Sequence, residues 1–224
     1  RERRGMTLLT ICEAALEEIS DFTVPSTIVG NEDPTAVTLL ALANRGGRNL
    51  AREYDWQILL KTYTFPTVAS TETYALPSDF RKFAALTFWD RTNLYQVQGP
   101  VSPALYEAIR SGSLVGVGFT KYFRIAANLF SIRPVPTAAE TIAYQYYSLN
   151  WVDNDADGDG DLPAFTADSQ TAVFDEDLMA LDLKWRFLRA KGWDYADERE
   201  EFDRQRDIML AIDGGKDIIS LGGP

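Results

Sequence analysis

The chain changes its hydrophobic period twice, and this change constrains the fold more than any other feature. Residues 7–19 and 34–54 space apolar side chains as helices do, residues 61–149 hold short alternating segments rich in aromatic rings, and residues 175–212 return to helical spacing. Alternation marks strands with one buried face, and spacings of three and four mark helices. We therefore predict an α+β fold, an antiparallel helical bundle formed by the N- and C-terminal segments with an inserted small antiparallel β-barrel or sandwich.

The same changes of period set the expected domain boundaries. We expect the first half of the helical bundle at residues 6–60, the β-rich insert at 61–152, and an acidic loop at 153–174. The second half of the bundle is expected at 175–213 and an extended C-terminal tail at 214–224. The tail sets Ile218, Ile219 and Leu221 between glycines, so it has too few neighbours of its own to bury them.

Local signals predict how the helices begin and pack. Thr10 and Glu13 have capping-box spacing for a first helix that begins a turn late, and Asp33 precedes a proline suited to the first turn of the second helix. Gly46 and Gly47 interrupt that second helix and predict either a close packing site or a kink. The residues expected to face the core from the second helix are Val37, Leu40, Ala41, Asn44, Leu50, Ala51 and Tyr54.

The insert reads as a series of strands. Residues 61–65 and 72–76 alternate and predict a hairpin, and residues 83–89 and 93–97 predict two more strands joined by a turn, with Leu94 and Tyr95 near its tip. A short helix capped by Ser102 follows, then a hairpin over 119–133 and a last strand over 141–149. Their aromatic residues predict either a β-core or a platform for sugars or bases.

Charge and composition exclude several function classes. The chain has 22 basic and 33 acidic residues, a net charge of −11, which is the wrong sign for gripping nucleic-acid phosphates. It contains no histidine, which removes Ser-His-Asp and Cys-His nucleophile pairs and the usual general base. The single cysteine, Cys12, lies on the apolar face of a predicted helix. We therefore expect no catalytic residues and no enzyme activity.

One motif suggests a metal. The segment 153–161 carries aspartate at every second position, and its first half matches a calcium loop in which alternate oxygens converge on one ion. Its second half departs from that pattern, because Ala164 stands where the bidentate glutamate belongs and Pro163 disfavours the flanking helix. The alternatives are a solvated acidic loop without a cofactor and a Ca²⁺ site formed by Asp153, Asp155, Asp157, Asp159 and Asp161.

Several segments, taken in order, resemble one protein family. They are the early helix pair, Trp56 leading into Tyr63-Thr-Phe65 and Tyr74-Ala-Leu-Pro-Ser-Asp-Phe80, then Phe88-Trp-Asp-Arg91, the hairpin from Tyr122 to Pro134, Tyr144-Gln-Tyr-Tyr-Ser148 with Trp151, and Leu178–Lys191 followed by Gly192-Trp-Asp-Tyr195. Over residues 6–213 this order resembles the head-to-tail adaptor (head completion) proteins of short-tailed and related double-stranded DNA bacteriophages, similar to tail tubular protein A.

The resemblance implies a structural virion protein and no enzyme. Such proteins form a twelve-membered ring that joins the portal protein to the tail nozzle or tube and lines the DNA channel used in genome packaging and ejection. It implies self-association, double-stranded DNA passing without sequence-specific binding, no membrane partner, and a place in the virion neck after assembly in the host cytoplasm. It assigns Ile218, Ile219 and Leu221 to portal docking, and Leu94 and Tyr95 to tail docking. The alternative function is a calcium-dependent, carbohydrate-binding module that uses the Asp-rich loop.

Overall fold

The computed structural model describes residues 6–17, 19, 22, 24–112, 120–155 and 157–214. These residues form two compact units, a helical unit that includes the chain up to Leu59 and again from Ser148, and a β-rich unit, Leu60–Tyr147. Helices and antiparallel sheets occur together, so the predicted α+β class is confirmed. The predicted start of a hairpin at Phe119 and the tail residues 218, 219 and 221 lie outside the described residues.

Four helices build the helical unit. They are α1 (Leu8–Leu16), α2 (Pro34–Glu53), α4 (Glu176–Lys191) and α5 (Ala196–Asp213), and α4 packs against each of the other three. Asp33 and Asp175 cap α2 and α4 by accepting backbone N–H bonds, and Gly192 ends α4 in the left-handed conformation with φ 76°. A short strand pair, β9 (Val152–Asp153) with β10 (Thr171–Ala172), completes the unit.

Two local predictions for these helices were wrong. The cap of α1 is Thr7, whose hydroxyl accepts the backbone N–H of Thr10, so the helix begins earlier than a Thr10–Glu13 capping box requires. On α2, Val37 is 53% exposed instead of buried. Ala41 is exposed as well, whereas Leu50 and Ala51 are buried as predicted. The buried residues of α2, which packs against α4, are Ala36, Leu39, Ala43, Gly46, Gly47, Leu50 and Ala51.

The glycine pair in α2 is a packing site. A Cβ on Gly46 would lie 1.9 Å from an oxygen of Asp182, and a Cβ on Gly47 would lie 2.3 Å from the ring of Trp151. Trp151 is fully buried and its ring N–H donates to the carbonyl of Pro163 at 2.9 Å. The absent side chains therefore make room for a buried carboxylate and a buried indole in the core of the helical unit.

The β-rich unit contains two antiparallel sheets and one short helix, α3 (Pro103–Arg110). The first sheet has the order β1-β8-β4-β5, with β3 also paired to β8, and the second has the order β2-β7-β6. The predicted hairpin between the first two strands is wrong, because β1 pairs with β8 and β2 with β7. The strands are β1 (Leu60–Pro66), β2 (Thr73–Ala75), β3 (Phe80–Phe83), β4 (Trp89–Asp90), β5 (Tyr95–Gln96), β6 (Tyr122–Ala126), β7 (Leu129–Arg133) and β8 (Thr141–Ser148).

Aromatic rings fill the space between the two sheets. The ring of Phe88 stacks on those of Phe123, Phe130 and Tyr144 with centroid separations of 4.4, 4.8 and 5.0 Å. These residues belong to one buried cluster, so both sheets share a core. The aromatic residues predicted on these strands thus include core residues, with Tyr144 only 1% exposed.

Candidate docking surfaces

One buried carboxylate holds the turn that joins β4 to β5. Asp90 has no exposed surface, and one of its oxygens accepts the backbone N–H groups of Thr92 and Asn93 at 3.0 and 2.9 Å. Its other oxygen accepts the side-chain amide of Asn93 at 2.9 Å. An aspartate that accepts N–H groups two and three residues ahead fixes a tight turn. The tip of this hairpin is therefore held in one shape.

Lys121, which directly precedes β6, neutralises the carboxylate of Asp90. Its ammonium group donates to Asp90 at 2.7 Å and to Glu140, and it lies 5.4 Å from the centre of the Tyr95 ring. Burial alone would raise the pKa of Asp90, but hydrogen bonds from Asn93 and Lys121 outweigh burial and lower it. Burial would lower the pKa of Lys121, yet the two carboxylates raise it above its ordinary value. Asp90 and Lys121 are therefore both charged at neutral pH.

The structure gives the two predicted tail-docking residues different surroundings. Leu94 is 80% exposed at the tip of the turn. Tyr95 lies in β5, opposite Asp90, where its half-buried ring contacts Lys121. Leu94 is therefore available to a partner, whereas Tyr95 belongs to the network that supports the turn.

Leu94 also borders a groove on the outer face of the first sheet, which we call the sheet groove. The groove has a volume of about 490 Å³. It is lined by Trp89 of β4 and by Ala143, the residue of β8 that pairs with Trp89. Trp89 is 46% exposed and Leu86, in the loop before β4, is 76% exposed. The lining residues are Thr62, Leu86, Thr87, Trp89, Asp90, Arg91, Leu94, Ala143, Tyr144 and Gln145.

Sequence reasoning missed Leu86, Trp89 and Arg91 as surface residues of this groove. In the structure residues 88–91 alternate between buried and exposed positions, although the sequence Phe88-Trp-Asp-Arg91 does not alternate between apolar and polar residues. That alternation turns Trp89 and Arg91 to the same outer face. The sequence gives no signal for Leu86 either, since it lies in a turn whose left-handed backbone is not expected of leucine.

The Asp-rich loop brings four of its five carboxylates together. One oxygen from each of Asp153, Asp155, Asp157 and Asp161 lies within 4.8 Å of the others, and Asp159 is not in this group. Asp153 is buried and accepts the backbone N–H groups of Asp155 and Gly158 at 3.1 and 2.8 Å. The neighbouring carboxylate of Asp157 raises the pKa of Asp155. The loop is thus shaped in part by its own backbone hydrogen bonds.

The last residue of α5 fixes where the C-terminal segment begins. One carboxylate oxygen of Asp213 accepts the backbone N–H of Gln57 at 2.5 Å, and the other accepts that of Ile58 at 3.3 Å. The predicted portal-docking residues Ile218, Ile219 and Leu221 follow beyond the described residues. The C-terminal end of α5 is therefore anchored to the segment that precedes β1.

The described residues assemble no nucleophile with a general base. Cys12 is fully buried in α1, and burial, with a smaller contribution from Asp168, raises the pKa of its thiol to about 12. A neutral, buried thiol is unsuited to nucleophilic attack. Among the helices of the described segments, none combines the length and the apolar composition needed to cross a bilayer.

Comparison with known proteins places this architecture in a family. The family model of the SU10 adaptor protein matches residues 6–217, which takes in both units and nearly the whole chain. A search of curated proteins finds no match. The family is one of structural phage adaptors, which are generally not enzymes and whose place in the virion is the neck. The chain therefore belongs to the SU10 adaptor protein family.

Proposed function

We propose that the chain is the head-to-tail adaptor of a short-tailed phage, a subunit of a twelve-membered ring that joins the portal to the tail nozzle or tube. The observation that carries this proposal is the family match over residues 6–217, since it includes every described helix and strand. The ring would be assembled in the host cytoplasm and would remain in the virion neck.

Two surfaces suit the two partners. The C-terminal segment is apolar at Ile218, Ile219 and Leu221, and an apolar segment between glycines can become ordered when it binds. We assign it to the portal. Leu94, on a turn that Tyr95 and Lys121 support, is assigned to the tail protein.

The charge of the chain is compatible with DNA passing through the ring. The β-rich unit has eight basic and five acidic residues, a net charge of +3, and the remaining residues have a net charge of −14. An acidic wall does not retain phosphates, so a channel lined mainly by the helical unit would let the genome slide. A ring structure with a strongly basic lumen would contradict this part of the proposal.

Electron microscopy with the portal encoded by the same genome tests the proposal. The full chain should add a ring layer to portal particles, and a chain ending at Asp213 should not. A full-length variant with Ile218→Ser, Ile219→Ser and Leu221→Ser keeps the length of the tail. It therefore tests whether docking requires the apolar side chains or only the backbone of the tail. Bare portal rings at micromolar wild-type protein would contradict the adaptor role.

A second candidate function is a calcium-dependent binding module, and the convergence of four carboxylates in the Asp-rich loop favours it. Calcium prefers six to eight oxygen ligands, and carboxylates are among its usual ones. The adaptor role needs no ion. Isothermal titration with Ca²⁺ distinguishes the two functions. A binding module should release or absorb heat of binding that Asp155→Ala abolishes, whereas an adaptor alone should show no heat at millimolar Ca²⁺.

A further inference from the structure

The sheet groove combines three exposed apolar side chains with one cation. Trp89, Leu86 and Leu94 supply the apolar surface, and the exposed side chain of Arg91 makes no ion pair with any residue in the described ranges. Tryptophan and arginine are the residue types most enriched where protein interfaces bind most strongly. A groove of about 490 Å³ lies within the size range of ordinary ligand-binding pockets.

Two of these side chains are held in a backbone conformation that leucine rarely adopts. Leu86 has φ 63° and Leu94 has φ 61°, in the left-handed region that favours glycine and asparagine. Both are more than three-quarters exposed, so core packing does not require a leucine at either position. Strained residues that packing does not explain point to a role in binding.

The strained turns are also fixed before any partner arrives. The carbonyl of Leu86 accepts the side-chain amide of Gln96 at 2.9 Å, and the turn at Leu94 is held by Asp90. A surface that is already in its bound shape loses less conformational entropy on binding. The groove therefore has the rigidity expected of a docking site.

We propose that the sheet groove binds an extended segment of the tail protein that carries apolar side chains and one carboxylate. The apolar side chains enter between Trp89, Leu86 and Leu94, and the carboxylate pairs with Arg91, because a guanidinium without a partner is complementary to an acidic group. This inference rests on the proposed adaptor function, and it names the chemistry that the tail-side surface recognises.

The test uses DNA-filled heads and separate tails of the phage that encodes the chain, both prepared without this protein. Purified variants are added, and electron microscopy counts heads that carry a ring and heads that also carry a tail. The variants are Arg91→Glu and the pair Leu86→Asn with Leu94→Asn, in which asparagine suits the left-handed backbone. Val68→Asn, at another exposed apolar residue of the same unit, is the matched control.

We expect both groove variants to form the ring and to attach at least about tenfold fewer tails than wild type, the loss of one strong contact. Val68→Asn should match wild type. The thermal midpoint of the asparagine pair should equal or exceed that of wild type, since strain is removed. Unchanged tail attachment, a lower midpoint, or loss of the ring in these variants would overturn the groove assignment. Absence of the ring with wild-type protein would instead overturn the adaptor function.

A cross-link identifies the occupant. Cys12 is buried, so in a Leu94→Cys variant the introduced cysteine is the thiol that reacts with a label. A maleimide-benzophenone attached to it can be photolysed in assembled particles. We expect the linked peptide to come from the tail protein and to contain an aspartate or glutamate. A peptide from a second copy of this chain, from the portal, or without an acidic residue would contradict the proposal.

Discussion

The two units of the molecule solve the packing problem in opposite ways. The helical unit brings backbones together over small residues, as where Gly46 and Gly47 admit Asp182 and Trp151. The β-rich unit fills its core with stacked aromatic rings and buries the ion cluster of Lys121, Asp90 and Glu140 at one end of a sheet. The helical unit therefore depends on the absence of side chains at its closest contact, whereas the β-rich unit depends on a lysine that neutralises two carboxylates.

The largest effect is expected from Lys121→Met, which leaves two carboxylates without their cation. Removing one partner of a buried ion pair costs about 3–5 kcal/mol in the free energy of unfolding. Urea unfolding measures it. Adding Asp90→Asn and Glu140→Gln to the same chain should recover much of the loss, because the uncompensated charges disappear. A cost below about 1 kcal/mol for the single variant would mean that the cluster is not important for stability.

Gly47→Ala should have the next largest effect. A Cβ at this position meets the Trp151 ring at 2.3 Å, and overpacking of this kind costs about 1–3 kcal/mol. Helix propensity alone predicts the opposite sign, a gain of about 1 kcal/mol. Ala41→Gly, at an exposed position of the same helix, is the control that measures propensity without packing. Stabilisation by Gly47→Ala would show that the close approach of α2 and Trp151 is wrong.

One buried aspartate in each unit should make stability depend on pH, and the two dependences should have opposite signs. Burial raises the pKa of Asp182 above 3.8 despite its bond to Arg186, so this group favours folding at low pH and loses that contribution as the pH rises through the folded-state pKa. The pKa of Asp90 is lowered, so its contribution is present above pH 3.8 and is lost as the pH falls through the folded-state pKa.

Asparagine variants of the two residues measure this contrast. Between pH 3 and 7, the stability of Asp182→Asn relative to wild type should increase with pH, and that of Asp90→Asn should decrease. Thermal unfolding at a series of pH values gives both slopes. If the relative stability of both variants changed with pH in the same direction, the proposed difference between the two aspartates would be wrong.

The smallest effect on stability is expected when either of two tyrosines in the aromatic core is replaced by phenylalanine. The hydroxyl of Tyr144 is buried and has no hydrogen-bond partner among the described residues, whereas that of Tyr146 donates to Asp79 at 2.9 Å. Tyr144→Phe should therefore be neutral or stabilising by about 1 kcal/mol, and Tyr146→Phe destabilising by about the same amount. Thermal unfolding of the two variants compares them, and equal destabilisation by both would contradict the unpaired hydroxyl.

The two units also differ in how far the sequence predicts them. Helix ends depend on neighbouring residues, so Asp33 was correctly predicted to precede the first turn of α2. Leu50 and Ala51 of α2 were correctly predicted to be buried, but Val37 and Ala41 were not, because the buried face depends on a close contact with α4, which lies more than 100 residues away. Strand pairing is likewise non-local, and the partner of β1 proved to be β8 and not β2.

The candidate docking surface was predicted only at its tip. Leu94 follows a turn-forming aspartate, and this local signal was readable. The groove beside it arises from three separate segments that meet on one sheet, and Leu86 lies in a backbone conformation that its residue type disfavours. Residues that break a local rule are the ones that sequence reasoning misses.

The most direct test of the adaptor role is cryo-electron microscopy of the neck of intact virions of the phage that encodes the chain. We expect one layer of twelve copies between portal and tail, with the C-terminal segment on the portal and the sheet groove occupied by a tail-protein segment. A neck without this chain, or a layer of different symmetry that does not touch the portal, would contradict it.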